Sequence, residues 1–328
     1  MDQPVSGALA TSDVSTHGCR NRVAVLIPCY DEAAVIADVV RDFAACLPAA
    51  TLYVYDNNST DGTAAAARAA GAVVRHEPRQ GKGSVVRRMF ADVEADIYVL
   101  VDGDGTYDAG SAPEMVRLLV EHGLDMVNAT RLGGGAGAYR PGHRLGNAVL
   151  SGIVARLFGN QITDMLSGYR VFSRRFVKSF PALATGFETE TEFTVHALAL
   201  RIPVGEHPCA YRERAAGSAS KLRTYADGLR ILRTIVLLVK EERPLAFFAS
   251  AAALLLALAL GLALPVIATF LRTGLVPRLP TAVLSTGLTL LSFLALACGL
   301  ILDSVARGRR EAKRLAYLRL AGVDAAGG

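Results

Sequence analysis

VLVDGDGTYD, residues 99–108, decides the fold. An apolar run stops at two acids, Asp102 and Asp104, with Gly103 between them and Gly105 after them. Side chains at i and i+2 of a strand share a face, and like charges so close repel. A strand that ends in this way places carboxylates at its mouth, with glycines that let the backbone turn so that both acids approach one point. Their repulsion is relieved by a hard divalent cation, Mg²⁺ or Mn²⁺, which takes oxygen ligands and keeps positions open for phosphates. Alone, acid–Gly–acid also occurs in plain turns.

Outward from this run the pattern repeats. RVAVLIP (22–28), TLYVYDN (51–57), GAVVRHE (71–77), DIYVLVDGDG (96–105) and LDMVNATR (124–131) read as strands. Between them, DEAAVIADVVRDFAACL (31–47), TDGTAAAARAAG (60–71), GKGSVVRRMFADVEA (81–95) and SAPEMVRLLVEHG (111–123) carry helical periodicity. This alternation predicts an α/β domain with a mostly parallel sheet, in which ligands bind beyond the carboxyl ends of the strands. The polar clusters PCYDE (28–32), DNNSTDGT (56–63) and DGDGTYD (102–108) fall there. Asp56 ends the second strand, where a carboxylate accepts from a base N–H or a ribose hydroxyl. Asp61 reads as a helix-opening residue. Lys82 lies between two glycines, either near a diphosphate or as a solvated loop lysine. No GxGxxG follows the first strand and no GxxxxGK[ST] occurs, which argues against a dinucleotide dehydrogenase and a phosphate-loop ATPase.

The C-terminal third differs. Leu245 to Leu271 and Thr281 to Leu302 are uncharged apolar runs, each long enough for the ~20 residues a membrane-crossing helix needs. The short link between them makes an antiparallel hairpin. Lys240 and Arg243 precede the first run, and Arg307, Arg309, Arg310, Lys313 and Arg314 follow the second. The positive-inside rule then puts both termini and the large N-terminal domain on the cytoplasmic side of the membrane. Residues 1–20 read as a disordered tail, 21–222 as the catalytic domain and 223–243 as a juxtamembrane amphipathic helix. Residues 244–303 read as two transmembrane helices and 304–328 as a basic cytoplasmic tail. The 223–243 stripe of Leu229, Leu232, Ile235, Val236 and Val239 suits either the bilayer surface or the soluble core. Five scattered cysteines without a CxxC fit a reduced, cytosol-facing protein. The net charge of +5, without Trp, zinc-finger spacing or a basic run interleaved with aromatics, gives no sign of nucleic acid. A homo-oligomer is left open.

Two basic groups complete the set. Arg131, Arg140 and Arg144 flank or occupy a glycine-rich loop, and convergent arginines favour a bidentate grip on phosphate. Arg212, Arg214, Ser218, Ser220 and Lys221 precede the juxtamembrane stretch and suit either a bound diphosphate or anionic lipid headgroups. In GFETETE (186–192), Glu188, Glu190 and Glu192 share a face on a strand, whereas on a helix Glu190 turns away. Asp164 and Arg170 of DMLSGYR form a buried pair or edge an acceptor site; His143 and His196 read as structural or solvated.

PCYDE, DNNSTDGT, GKG, DGDGTYD, RLGN, DMLSGYR, GFETETE and RAAGSASKL occur in that order between Val23 and Lys221. Together they resemble the family-2 glycosyltransferases of the GT-A fold, and among these the dolichol-phosphate mannose synthase and polyprenyl-phosphate glycosyltransferase group. The resemblance implies an inverting, metal-dependent hexosyltransferase with Mg²⁺ or Mn²⁺. The donor it implies is a nucleotide-diphosphate sugar and the acceptor a membrane polyprenyl phosphate; the resemblance does not fix the nucleotide, for which UDP is expected over GDP. It implies Pro28, Tyr30, Glu32, Asp56, Lys82, Asp102 and Gly103 in the donor site, and Asp102 and Asp104 as the metal acids, with Asp104 the direct ligand. Arg131 and Arg144 grip the acceptor phosphate, Arg214, Ser220 and Lys221 close over the diphosphate, and Glu190 meets the sugar hydroxyls. The sequence departs from the family at Asp31 (usually Asn), at Thr106 (often Gln in mannose synthases) and by one extra residue between Gly217 and Lys221. Transfer to another lipid or glycan, an inactive membrane-tethered nucleotide-sugar binder, and a nucleotidyltransferase are the rival readings.

Overall fold

The computed structural model describes residues 21–132, 152, 162–182, 186, 188–212, 236–237, 240–241 and 243–323. Its first half is built as the alternation dictates. Strands β1 (Val23–Cys29), β2 (Thr51–Asp56), β3 (Val73–His76), β4 (Ile97–Leu100) and β5 (Met126–Leu132) alternate with helices α1 (Ile36–Cys46), α2 (Thr63–Ala69), α3 (Lys82–Asp92) and α4 (Ala112–Glu121). Next come β6 (Arg170–Ser173), α5 (Arg174–Ser179), α6 (Thr189–Leu200) and β7 (Val204–Ala210). The seven strands form one sheet in the order β3-β2-β1-β4-β6-β5-β7.

β1 and β4 lie centrally and are apolar on both faces, as strands covered by helices on two sides must be. Successive residues of β1 point to opposite cores. Leu26 joins Val86, Met89, Phe90, Phe172 and Phe193 beneath α3, α5 and α6, whereas Val25 and Ile27 join Ile36, Phe43, Val99 and Val171 beneath α1 and α4. The sheet is parallel except at β6, which runs antiparallel to both β4 and β5. Leu100 at the carboxyl end of β4 therefore pairs with Arg170 at the amino end of β6. That reversal carries Ser167, Gly168 and Tyr169 to the sheet edge where the β4 acids emerge. Neither β6 nor β7 was among the strands expected from sequence.

Two long helices follow, α7 (Pro244–Thr273) and α8 (Leu279–Leu318), packed antiparallel, with Ser292 Oγ donating to the Ala252 carbonyl at 2.9 Å. Both are long and apolar enough to cross a membrane, with mean hydropathy of 2.6 and 2.1 over their most apolar stretches. Large side chains such as Leu254, Leu264, Leu290, Phe293 and Ile301 face outward, an arrangement that suits lipid far better than water. The stretch expected as a basic tail is helical through Leu318, because α8 continues unbroken. From Asp303 to Leu318 it rises roughly 22 Å at 1.5 Å per residue. Its far end packs on α5 and α6, where the Tyr317 hydroxyl donates to Asp125 Oδ2 at 2.7 Å and the Arg175 guanidinium lies 4.9 Å over the Tyr317 ring.

Candidate active site

The loops after β1 and β2 are tied together before they meet any substrate. Asp31 adopts a left-handed conformation (φ 52°), which Asp and Asn tolerate with a short polar side chain, so the departure from Asn keeps the turn. Its amide donates to Ser59 Oγ at 2.9 Å, and its Oδ1 accepts from the Thr60 amide at 2.8 Å. The Glu32 amide donates to Thr63 Oγ1 at 2.8 Å, and Asp61 accepts from the Ala33 and Thr63 amides. Asp61 is thus occupied in tying the loops. Tyr30 is exposed, Glu32 buried and Pro28 half-buried at the end of β1. Asp56, buried at the end of β2, lies 3.6 Å from His76 Nδ1 and accepts from the Ser59 amide at 3.3 Å.

Asn57, which sequence reasoning passed over, sets the position of Lys82. Its amide group donates to the Glu77 and Arg79 carbonyls, both at 2.8 Å, and its Oδ1 accepts from the Gly81 amide at 2.8 Å. Lys82 is the first residue of α3, and its ammonium turns inward rather than into solvent. Nζ lies 2.5 Å from Asp102 Oδ1 and also bonds Glu190 Oε1. Residues 189–200 are helical, and Glu190 in the first turn is buried beside Lys82. The other Glu190 oxygen, Oε2, is buried without a hydrogen-bond partner, an arrangement that costs stability and so points to a ligand group yet to arrive.

The β4 acids take distinct environments. Asp104 is buried, and its Oδ1 accepts from Thr106 Oγ1 at 2.6 Å and from the Thr106 amide at 3.2 Å, so the residue standing where Gln is common orients this acid. Gly105 provides the turn between them with φ +71°. Gly103 is required for space: a Cβ there would lie 2.4 Å from Cys29 Sγ. Asp102 rests in a notch left by Gly168, whose Cβ would fall 2.1 Å from Asp102 Oδ2. Burial raises the Asp102 carboxyl to about 6; the Lys82 ammonium opposes that rise, and the Asp104 and Glu190 charges add to it. The donor set is one of carboxylate oxygens. Cys29, the nearby sulfur, is held as a thiol by burial and the surrounding acids. Among the described residues no cluster of three His, Cys, Asp or Glu side chains forms. Two carboxylates are nonetheless the share a protein commonly gives to Mg²⁺ or Mn²⁺ beside substrate phosphates, so the residues fit such an ion.

Arg131, at the end of β5, is gripped by Asp164 rather than standing alone. Nε donates to Oδ2 at 2.7 Å and Nη2 to Oδ1 at 2.8 Å. The Tyr211 ring lies 5.5 Å beneath the guanidinium. Asp164 and Arg170 do not form the pair considered from sequence. Arg170 is fully buried and donates to the Met165 and Ser167 carbonyls and to Thr194 Oγ1 at 2.7, 3.2 and 3.0 Å, with Phe193 against its cationic face. Tyr107 links the two halves: its hydroxyl accepts from the Gly168 amide at 2.8 Å, and its ring packs edge-on against Tyr169 and Tyr211. His196 is structural, wedged between Phe176 and Phe180 with Nε2 3.2 Å from Ser179 Oγ. Arg144, Arg214, Ser220 and Lys221, His143, and most of 223–243 lie outside the described residues.

A single, mostly parallel α/β sheet with acids at the strand ends is the architecture of a GT-A glycosyltransferase. Solved structures of glucosyl-3-phosphoglycerate synthase from Mycobacterium tuberculosis share it. The complex with phosphoglyceric acid has a TM-score of 0.55 at 22% identity, covering 67% of this chain and 80% of that one. The complex with Mn²⁺ and UDP-glucose has a TM-score of 0.54 at 24% identity, covering 67% and 79%. Residues 24–180 match the family described as Glycosyl transferase family 2. Glycosyltransferase AglJ of Haloferax volcanii is 36% identical over 248 residues, 74% of this chain and 80% of the relative. Dolichyl-phosphate hexose transferase of the same organism is 28% identical over 222 residues, 67% and 95% of the two chains. Protein RfbJ of Shigella flexneri is 57% identical over 123 residues, 37% and 95%. The chain belongs to glycosyl transferase family 2.

Proposed function

We propose that this glycosyltransferase moves a hexose, with inversion, from a nucleotide-diphosphate sugar to a polyprenyl phosphate at the cytoplasmic face of a membrane. UDP is the preferred donor nucleotide. The observation that carries this reading is the joining, on one chain, of the Asp102–Lys82–Glu190 cluster to two helices apolar enough to cross a bilayer. Supporting it are the likeness to a dolichyl-phosphate hexose transferase and the UDP and Mn²⁺ or Mg²⁺ in structures that share the fold. The basic residues flanking both apolar helices favour a cytoplasmic catalytic domain and termini.

The chemistry follows from charge. An anionic phosphate oxygen of the acceptor attacks the anomeric carbon. The bond from that carbon to the diphosphate breaks, and its electron pair leaves with the nucleoside diphosphate. The attacking oxygen carries no proton, so no strong general base is required. Two anions must instead be brought together. Asp104, with Asp102, would hold Mg²⁺ or Mn²⁺, which when bound neutralises the diphosphate. Lys82 supplies a fixed ammonium at the same place, and Glu190 Oε2 accepts from a sugar hydroxyl. Pro28, Tyr30, Glu32 and Asp56 line the nucleotide end. Arg131 and Arg144 take the acceptor phosphate, and Arg214, Ser220 and Lys221 close over the donor. Removal of one phosphate-gripping arginine, as in Arg144→Ala, is expected to cost roughly 10²–10³ in rate.

The test is nucleotide release by the full chain in detergent, with UDP-glucose and other nucleotide sugars, Mn²⁺ and a short-chain polyprenyl phosphate, the glycolipid being identified by mass. Release that depends on the lipid and stops on chelation is expected. Release indifferent to the lipid overturns the reading.

A further inference from the structure

We propose that Asp164 is a positioning residue for acceptor recognition, acting solely through Arg131; this rests on the reading that Arg131 grips the acceptor phosphate. A lone arginine at a strand end samples many rotamers, and ordering it when the acceptor arrives costs entropy. Here the side chain is ordered beforehand. Asp164 takes Nε and Nη2 in a planar two-point grip, and both side chains are nearly buried, 14% and 12% exposed. Tyr211 closes the flat face of the guanidinium.

The anchors are themselves fastened. The Asp164 carbonyl accepts from Asn128 Nδ2 at 2.9 Å, and Glu206 accepts from the Thr163 amide and hydroxyl at 2.9 and 2.7 Å. Loop 162–169 is thereby pinned to β5 and β7, and Tyr211 is pinned by its amide to the Leu132 carbonyl at 3.1 Å. Asp164 thus takes two of the five N–H donors of the guanidinium and fixes its plane. The same loop carries Gly168, the notch for Asp102. One short segment thus fixes both the metal acid and the acceptor arginine, which sets the separation between donor and acceptor. Asp164 is occupied in this grip, and an acceptor that is already an anion leaves it no proton to remove.

The test is a double-mutant cycle on the full chain in detergent, with UDP-glucose, Mn²⁺ and a short-chain polyprenyl phosphate. Asp164→Asn keeps the shape and loses the charged two-point grip. It is expected to lower kcat/KM for the lipid roughly 10- to 100-fold, the scale of a misplaced reacting group, with the KM for UDP-glucose unchanged. In an Arg131→Ala background the same change is expected to add nothing. An Asp164→Asn variant with wild-type lipid kinetics, or one whose loss multiplies with that of Arg131→Ala, overturns the proposal. If Asp164→Asn does not fold, Asp164→Glu, which keeps the charge but displaces the grip, is carried through the same cycle with the same criteria. An Arg131→Ala variant with unaltered lipid kinetics overturns the Arg131 assignment itself, a failure distinct from one confined to Asp164.

Discussion

Lys82 Nζ lies 2.5 Å from Asp102 Oδ1, so the ammonium at the start of α3 is committed to the first acid of the β4 pair. This contact keeps Asp102 closer to its charged form than burial alone allows, and the carboxyl is still pushed up to about 6. Below about pH 6 Asp102 carries a proton and is a poor ligand for a hard cation. Mn²⁺-dependent binding of UDP-glucose, followed by calorimetry, is therefore expected to weaken as pH falls through about 6, approaching tenfold per unit. Lys82→Met removes the charge that opposes the rise, so the midpoint moves to higher pH. An affinity flat from pH 7.5 to 5 would show that Asp102 stays ionised throughout.

Gly168 makes a second prediction at the same acid. Any side chain there begins with a carbon 2.1 Å from Asp102 Oδ2, which only displacement of the carboxylate relieves. Gly168→Ala is expected to fold and to lose at least roughly tenfold in Mn²⁺-dependent donor affinity, as misplacement of a site group does. Gly103→Ala drives a methyl into Cys29 Sγ in a packed core, so it is expected to cost about 1–3 kcal/mol of stability, read from thermal unfolding in detergent. A Gly168→Ala protein with wild-type donor affinity would remove Asp102 from the donor site.

His196 predicts how stability depends on acidity. Burial lowers its pKa to about 3, with the Lys313 charge acting in the same direction. An unfolded histidine takes up its proton near 6.5, so from 6.5 down to about 3 the unfolded chain binds more protons than the folded one. The contribution of neutral His196 is fully present above 6.5 and is lost progressively as pH falls toward 3. His196→Gln, which still offers Ser179 a partner, is expected to flatten the decline in thermal midpoint between pH 7 and 5. An unchanged slope would assign that acid sensitivity to other groups.

The parts of this molecule legible in the sequence are those with a local signature. Apolar runs ending in acids mark β2 and β4, and with them Asp56, Asp102 and Asp104, and an apolar run that breaks at Pro28 marks β1. The uncharged runs mark α7 and α8. What escaped notice depends on long-range geometry. β6 has four residues, RVFS, with no alternation to mark it, yet its reversal sets Gly168 against Asp102. Asp164 pairs with Arg131 rather than with Arg170 on its own motif, because the chain turns back before β6. Helical spacing alone separated Glu190 from Glu188 and Glu192; that it faces Lys82 is a property of packing. The basic residues after the second apolar run suggested a tail, whereas Tyr317 finds a buried partner in the catalytic domain.

That partner is Asp125, whose side chain is fully buried. It accepts from Ser173 Oγ at 2.6 Å, from Arg175 Nη2 at 2.8 Å as well as Arg175 Nε, and from the Tyr317 hydroxyl at 2.7 Å. Tyr317→Phe keeps the ring against Arg175 and removes one donor from a buried carboxylate. The expected cost is about 1–3 kcal/mol, because a buried charge loses a hydrogen bond with no water to replace it. In detergent this appears as a fall in thermal midpoint of roughly 2–4 °C per kcal/mol. Asp125→Asn is expected to cost more, about 3–5 kcal/mol, since it leaves Arg175 without its counter-charge. UDP-glucose affinity should survive Tyr317→Phe, because Asp125 precedes β5 at the amino edge of the sheet, whereas Lys82 meets Asp102 beyond the carboxyl end of β4. A Tyr317→Phe protein with an unchanged midpoint would mean that the end of α8 rests on the catalytic domain without holding it.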